Sequence, residues 1–132
     1  MRISTKGRYA LLIMITIAKE KKLSISELAK QTGLSLKYLE QITSNLVKNN
    51  LLNSFRGSNG GYMLQSEPKQ ITLKQIFNAS EGNIKTVECI SEETSCPKQN
   101  DCLTIGVWIR LNDIIDNYLN SVTLQDVLDK KV

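Results

Sequence analysis

A very short turn between two helices is the feature that most limits the fold of this chain. Ser24 and Glu27 have the spacing of a capping box, in which a hydroxyl and a carboxylate satisfy the free amides at a helix start. The helix that follows should span 25–32 and end at Gly33, because glycine adopts the left-handed conformation of a helix C-terminus at low cost. Ser35 then caps a second helix only two residues later. Two helices joined this tightly must cross steeply, which is typical of a helix-turn-helix.

The second helix of this motif has an apolar stripe at three- and four-residue spacing, which predicts the face that packs on the core. The stripe consists of Leu36, Leu39, Ile42, Leu46 and Val47. Alternating residues then flank a Gly- and Asn-rich turn at 56–61, which predicts a β-hairpin. A hairpin directly after a helix-turn-helix is a wing. An apolar first helix over about 6–21, with Ser4 or Thr5 as its cap, is expected to be a buried scaffold.

The second half of the chain is predicted to be helical around a central irregular segment. Thr72 caps a helix that runs to about Ser80, and a long helix over about 103–119 has more apolar surface than one small domain can cover. A last short helix begins after Thr123. The predicted fold is mainly α with a small β-hairpin: a winged helix-turn-helix over 1–68, followed by a cysteine loop and dimerisation helices over 69–132. Both parts should form one compact chain that assembles as a homodimer.

Charge is distributed unevenly along the chain, and this indicates which half faces a polyanion. Residues 1–64 contain ten Lys and Arg against three acidic residues, whereas residues 65–132 contain seven against ten. A basic module joined to an acidic one is typical of a protein that presents one half to phosphates. An unevenly charged but merely solvated surface is the alternative.

The recognition helix of a helix-turn-helix enters the major groove by its N-terminal part, so exposed polar residues there are candidate DNA contacts. In the helix these are Ser35, Lys37, Tyr38, Glu40, Gln41 and Ser44, and in the wing they are Arg56, Ser58 and Gly60. Gln41 can pair with an adenine edge, Glu40 can accept from a cytosine amino group, and Arg56 can enter a narrow minor groove. The alternatives are that Ser35 only caps, Glu40 only pairs with Lys37, and Arg56 is only solvated.

Three cysteines, Cys89, Cys96 and Cys102, lie within fourteen residues of the polar segment between the helices. Converging thiolates are the ligands that iron-sulfur clusters prefer, although zinc is a chemical competitor and three incidental thiols are the simplest alternative.

The basic and apolar residues at 2–18 imitate a secretory signal, but the run ends in charged residues and has only a weak cleavage site. We therefore expect a cytoplasmic protein without a membrane span, whose thiols are in a reducing compartment.

Four segments of the chain together match the pattern of a known family: residues 1–10 (MRISTKGRYA), 36–41 (LKYLEQ), 56–62 (RGSNGGY) and 102–104 (CLT). With these segments the chain resembles the IscR-like iron-sulfur cluster regulators, whose relatives include NsrR and CymR. The resemblance covers essentially the whole chain. It implies a winged-helix homodimer that reads an imperfect palindrome in double-stranded DNA with Tyr38, Glu40, Gln41 and Arg56. It also implies a cluster at the three cysteines, of the 2Fe-2S rather than the 4Fe-4S type, which can be lost on purification.

The sequence departs from this family pattern at the cluster ligands. The gap between Cys89 and Cys96 is one residue longer than usual, and Ile105 stands where the family carries a histidine ligand, while this chain has no histidine at all. A fourth ligand would have to be an oxygen donor, a residue of the partner subunit, or an exogenous thiol or water. The nearby oxygen donors are Glu88, Glu92, Glu93 and Asp101.

These observations predict a transcription regulator that senses an iron-sulfur cluster, either repressor or activator, and controls cluster biogenesis or linked sulfur and iron genes. The chain has no nucleophile elbow and no phosphate loop, so we expect no enzymatic activity. Two alternatives stay open at this point. One is a regulator of the same fold that senses thiol oxidation, nitric oxide or a partner protein without a stable cluster. The other is a redox or metal-carrier protein in which the helices are only a scaffold.

Overall fold

A computed structural model of the chain describes residues 2–91 and 96–132. These residues form six α-helices and a three-stranded antiparallel sheet. The first half contains α1 (Thr5–Glu20), β1 (Lys22–Leu23), α2 (Ile25–Thr32), α3 (Leu36–Lys48), β2 (Leu52–Phe55) and β3 (Gly61–Leu64). The second half contains α4 (Leu73–Glu81), α5 (Ile105–Ser121) and α6 (Leu124–Leu128), with short 3-10 turns at Pro68–Gln70, Glu88–Ile90 and Gln99–Asp101.

The helix-turn-helix forms where the capping residues predict it. The Ser24 hydroxyl accepts a hydrogen bond from Glu27 N at 3.2 Å, and Glu27 Oε2 accepts one from Ser24 N at 2.7 Å. Gly33 ends α2 in the left-handed conformation, at φ 73°. The Ser35 hydroxyl then accepts from Tyr38 N at 3.3 Å and caps α3. The helix-turn-helix inferred from the sequence is therefore confirmed in its bounds and in its caps.

The buried face of α3 differs from the prediction at two positions. Leu36 is 50% exposed, because it is the first residue of the helix and lies beyond the edge of the core. Thr43 is completely buried, and its hydroxyl donates to the Leu39 carbonyl oxygen at 2.7 Å. This internal hydrogen bond lets a polar residue occupy the core, which an apolar pattern cannot reveal.

The wing is anchored by a strand that the sequence did not indicate. Strands β2 and β3 form the predicted hairpin, in which Leu52 pairs with Leu64, and β1 adds to the other edge of β3. A strand of two residues is too short to show alternation, which is why it escaped prediction. Gly61 makes the pairing possible, because a Cβ there would lie 2.6 Å from the Leu23 carbonyl oxygen. The wing is thus joined to the segment between α1 and α2.

The second half packs against the first through α4, which contacts α1, α3 and α5. Backbone hydrogen bonds from Leu73 N to Val122 O and from Leu124 N to Ile71 O join the starts of α4 and α6. The long helix predicted over about 103–119 is present as α5, two residues later along the chain, and Leu103 precedes it with a fully exposed side chain. Of the helices in residues 2–91 and 96–132, none combines the length and apolar character that a membrane crossing requires.

Candidate nucleic-acid interface and cysteine segment

The recognition helix α3 presents a polar face on the side opposite the core. Its inner face buries Leu39, Ile42 and Leu46. The predicted contact residues Ser35, Lys37, Glu40, Gln41 and Ser44 are all exposed. The first three turns of α3 therefore offer a hydroxyl, ammonium, carboxylate and carboxamide to a ligand, and these groups are able to contact phosphates and base edges.

Tyr38 differs from these residues because its ring is half-buried. It meets the ring of Tyr9 in α1 edge to face, with ring centroids 5.6 Å apart and planes at 81°. Such aromatic pairs favour this geometry and restrict the orientation of both rings. Tyr9 belongs to the helix that the sequence predicts to be a buried scaffold, and helical spacing alone does not reveal this contact.

The wing turn exposes Arg56 and Ser58, while Gly60 is half-buried. Gly60 N donates to the Gly57 carbonyl oxygen at 2.9 Å, and Gly57 has φ 96°, so the turn depends on glycine there. The structure also places a second cation at the wing, since Lys22 Nζ lies 5.1 Å from the centre of the Phe55 ring. Lys22 was not predicted as a site residue, because its position depends on the pairing of β1 with β3.

The three cysteines are free thiols and all are half-buried. Cys89 lies in the 3-10 turn at Glu88–Ile90, and Cys102 directly follows the turn at Gln99–Asp101. A hydrogen bond of 3.3 Å joins the Cys102 Sγ to the Thr104 hydroxyl. This bond, with contributions from backbone amides, lowers the pKa of the Cys102 thiol from its ordinary value of 9.0. Cys102 is therefore the thiol that the surroundings predispose to the thiolate form.

The donor chemistry of this segment fits a cluster, because three thiols lie between the same two helices. Within the two ranges that the structure describes, however, no three Cys, Asp or Glu side chains are gathered as metal ligands. Glu92 and Glu93, two of the candidate oxygen ligands, lie outside the described residues. Ile105 is the first residue of α5, so the apolar residue at the family's histidine position lies where the cysteine segment meets the long helix.

The cysteine segment is also connected to α5 upstream of Cys89. Thr86 N donates to Asn112 Oδ1 at 3.4 Å, and the Asn112 side chain is buried. A salt bridge of 3.1 Å between Lys74 and Asp116 joins α4 to the same helix. The start of the cysteine segment is thus tied to α5 at Thr86, and α4 is joined to the same helix.

The outer face of α5 leaves a line of apolar side chains uncovered in the single chain. Val107, Leu111, Ile114 and Tyr118 follow at alternating steps of four and three residues and are between 37% and 58% exposed. A helix in a monomeric protein normally turns its apolar stripe toward the core. Here the stripe faces away from the core, as at an interface between protein chains.

Comparisons with known proteins agree with this architecture. The curated relative CymR of Bacillus subtilis is 42% identical over 130 residues, which cover 96% of this chain and 89% of the relative. IscR of Pectobacterium atrosepticum is 35% identical, with 99% of this chain and 81% of the relative covered. The solved structure of CymR, described as the global cysteine regulator of B. subtilis, matches with a TM-score of 0.78 and 41% identity over 98% of both chains.

Both curated relatives are named as helix-turn-helix transcriptional regulators, which confirms the resemblance to IscR-like regulators and the winged-helix fold. The alternative of a redox or metal-carrier protein is thereby set aside, and so is an enzymatic role. The family model described as Rrf2, iron-dependent transcriptional regulator, matches residues 3–130. The chain therefore belongs to the Rrf2 family of DNA-binding transcriptional regulators.

Proposed function

We propose that this regulator is a cytoplasmic homodimer that binds an imperfect palindrome and changes its DNA affinity with the state of an iron-sulfur cluster. Its targets would be genes of cluster biogenesis or of related sulfur and iron metabolism. The observation that carries the proposal is the place of the three half-buried free thiols. They lie between α4, which packs on the DNA-binding half, and α5, whose apolar face is open.

DNA recognition is assigned to α3 and the wing of each protomer. Gln41 and Glu40 would contact base edges, whereas Lys37, Ser35 and the Tyr38 hydroxyl would contact phosphates. Arg56 would enter the minor groove, with Ser58 and Gly60 allowing the close approach of the backbone. The exposure of the polar side chains of Ser35, Lys37, Glu40, Gln41, Arg56 and Ser58 supports this assignment. The basic first half supports it as well, because neutralising phosphates supplies much of the affinity for DNA.

Dimerisation is assigned to the uncovered face of α5. Two copies of the stripe from Val107 to Tyr118 would bury each other across a twofold axis, as apolar residues at alternating spacing do in paired helices. A symmetric dimer presents two recognition helices to two half-sites in opposite orientation. The palindromic operator therefore follows from the dimer, with half-site centres separated by about 34 Å or a multiple of one DNA turn.

Cys89, Cys96 and Cys102 are the residues that would hold the cluster, and soft thiolates suit its iron atoms. When bound, a cluster supplies a redox-active, oxidant-sensitive centre whose presence or absence can report on iron and sulfur supply. The chain offers no histidine, so the remaining coordination position depends on an oxygen donor such as Glu88 or Asp101, the partner subunit or an exogenous ligand. A cluster with incomplete protein ligation is lost more easily, which suits a sensor.

Two measurements test this function. The first is anaerobic reconstitution followed by iron and sulfide assays and visible absorption spectra, with 2Fe-2S expected. The second is the affinity of cluster-bound and cluster-free protein for a DNA duplex selected from a random pool by the wild-type protein. Both forms must be compared at the same salt concentration, because salt alone shifts protein–DNA affinity strongly. Equal affinities with intact iron binding would contradict the sensor proposal, because a ligand shifts an equilibrium only by its differential affinity.

A second candidate function is a regulator of cysteine metabolism, which is supported by the similarity to CymR, described as a global cysteine regulator, and by the lowered pKa of Cys102. In that case the chain would respond to thiol oxidation, nitric oxide or a partner protein, without a stable cluster. A low-pKa thiol is the form that oxidants attack. The two candidates differ in an observable way, since a thiol switch would regulate DNA binding in protein that contains no iron.

A further inference from the structure

The N-terminus of α1 is capped in an unusual way. In α2, α4 and α6, the third helical residue accepts a hydrogen bond from the backbone amide of the capping residue, through Glu27, Gln75 and Asp126. In α1 the capping residue is Ser4, whose hydroxyl accepts from Gly7 N at 3.1 Å. Gly7 is the third helical residue, and it has no side chain with which to complete the capping box.

Glu81 supplies the missing acceptor from 77 residues away. Its Oε1 accepts from Ser4 N at 2.9 Å. Gly7 leaves the room for this carboxylate, because a Cβ at Gly7 would overlap Glu81 Oε1 and lie 3.1 Å from Phe77 Cδ1. Glu81 therefore occupies the place that the side chain of residue 7 would take. The capping box of α1 therefore combines Ser4 from the first half of the chain with Glu81 from the second half, instead of two residues of the same helix turn.

The position of Glu81 gives this hydrogen bond a consequence beyond capping. Glu81 is the last residue of α4, and Gly82 follows it with a positive φ of 76° at the start of the cysteine segment. At the other end of the connection, α1 contacts the recognition helix through the Tyr9–Tyr38 ring pair. The carboxylate thus joins the beginning of the cysteine segment to the helix that orients the DNA-binding surface.

We propose that Glu81 is a positioning residue for DNA recognition. It holds the first turn of α1 against the end of α4 and, through Tyr9, keeps Tyr38 and the start of α3 in the orientation that fits DNA. The proposal rests on the DNA-binding function above but not on the presence of a cluster.

Four variants separate positioning from helix capping. Glu81→Ala removes the acceptor, whereas Glu81→Gln keeps a carbonyl oxygen at the same place. The double variant Gly7→Glu with Glu81→Ala restores a capping box within α1 but lacks the hydrogen bond between α1 and α4. Glu20→Ala is the matched control, because Glu20 is an exposed glutamate at the opposite end of α1. All variants are prepared as full-length, cluster-free protein and checked for folding by circular dichroism.

The first readout is affinity for the duplex selected by the wild-type protein. We expect Glu81→Ala to weaken binding by about 2- to 30-fold, the ratio that corresponds to one N-cap hydrogen bond. Glu81→Gln and Glu20→Ala should bind like the wild type. The double variant should stay as weak as Glu81→Ala. If the double variant binds like the wild type, local capping alone is sufficient and the positioning role is wrong.

The second readout is hydrogen exchange of the Ser4 amide. The Ser24 amide is the internal reference, because its capping-box acceptor Glu27 lies only three residues away in the same helix. Ser4 should lose protection in Glu81→Ala and keep it in Glu81→Gln, while Ser24 stays constant in every variant. A Glu81→Ala protein that loses Ser4 protection but binds DNA like the wild type would overturn the proposal even if the double variant fails to fold. Absence of DNA binding by the wild-type protein would instead refute the proposed function itself.

Discussion

The rings of Tyr9 and Tyr38 meet edge to face, with centroids 5.6 Å apart, so the scaffold helix α1 directly contacts the first turn of the recognition helix α3. Replacing Tyr9 with leucine keeps most of the apolar volume but removes the aromatic pair. We expect the free energy of unfolding to fall by about 0.5–1.5 kcal/mol, the usual contribution of such a pair. Chemical denaturation of Tyr9→Leu beside Tyr9→Phe, which keeps the ring, measures this difference. Equal stability of the two variants would show that the ring pair contributes nothing.

Arg56 and Gln41 are expected to contribute to DNA affinity without contributing to the fold. Both are exposed, so Arg56→Ala and Gln41→Ala should leave the thermal unfolding midpoint unchanged. Each should weaken binding to the selected duplex by about 1–3 kcal/mol. Lys98→Ala, an exposed cation in the second half, is the control and should bind normally. Wild-type affinity in both test variants would show that DNA docks on another surface.

Dimerisation should depend on the apolar face of α5. Ile114 is 52% exposed in the single chain, so Ile114→Glu should fold normally but place a charge in the centre of the dimer contact. We expect this variant to be a monomer in analytical ultracentrifugation at micromolar concentration, where the wild type should sediment as a dimer. Asn117→Glu adds the same charge at an exposed polar position of the same helix and should remain dimeric. A monomeric wild type would refute the interface and the palindromic operator together.

The three cysteines should behave alike if they hold one cluster. After anaerobic reconstitution, each single Cys→Ser variant should lose most of its iron and visible absorption, because a hydroxyl is a poor substitute for a thiolate on iron. Ser91→Ala, a change within the same segment, serves as a control for local disturbance. A pattern in which only Cys102 matters would favour the thiol switch, since Thr104 lowers the pKa of that thiol.

The capping box of α2 should make part of the stability depend on pH. The hydrogen bonds from Ser24 lower the pKa of Glu27 in the folded chain below its ordinary value of 4.5. A group whose folded pKa is lowered stabilises the fold at pH values above its unfolded pKa, and this contribution is lost as pH falls through the folded pKa. Glu27→Gln should therefore show a shallower decrease in unfolding free energy below pH 4.5 than the wild type. The pKa of Asp126 is lowered by Thr123 in the same way, so the unfolding free energy of Glu27→Gln should still decrease to some extent at low pH. Identical pH profiles would mean that Glu27 titrates alike in both states.

Elements fixed by neighbouring residues could be predicted from the sequence. The bounds of α2 follow from Ser24, Glu27 and Gly33, because a cap acts on amides within one turn of itself. The same is true of α4 after Thr72 and of α6 after Thr123.

Features that depend on distant residues could not be predicted in this way. Three contacts join residues that only the tertiary fold brings together. They are the hydrogen bond of Glu81 with Ser4, the pairing of Leu23 with Tyr62 and the ring contact of Tyr9 with Tyr38. In the candidate site, the polar face of α3 followed from helical spacing. The position of Lys22, the second cation at the wing, could not be predicted in this way, since it depends on the pairing of β1 with β3.

The pairing of β1 with β3 has a mechanical consequence. Strand β3 lies between β1 and β2, so the hairpin is held on one edge by the segment that leads directly into α2. This pairing should restrict the movement of the wing, so we expect the distance between the wing tip and the recognition helix to stay nearly constant. If the chain binds DNA as proposed, each protomer would then contact a half-site of constant width. Under the proposed function, regulation would then act on the separation of the two DNA-binding surfaces, which the contact between the two α5 helices would set.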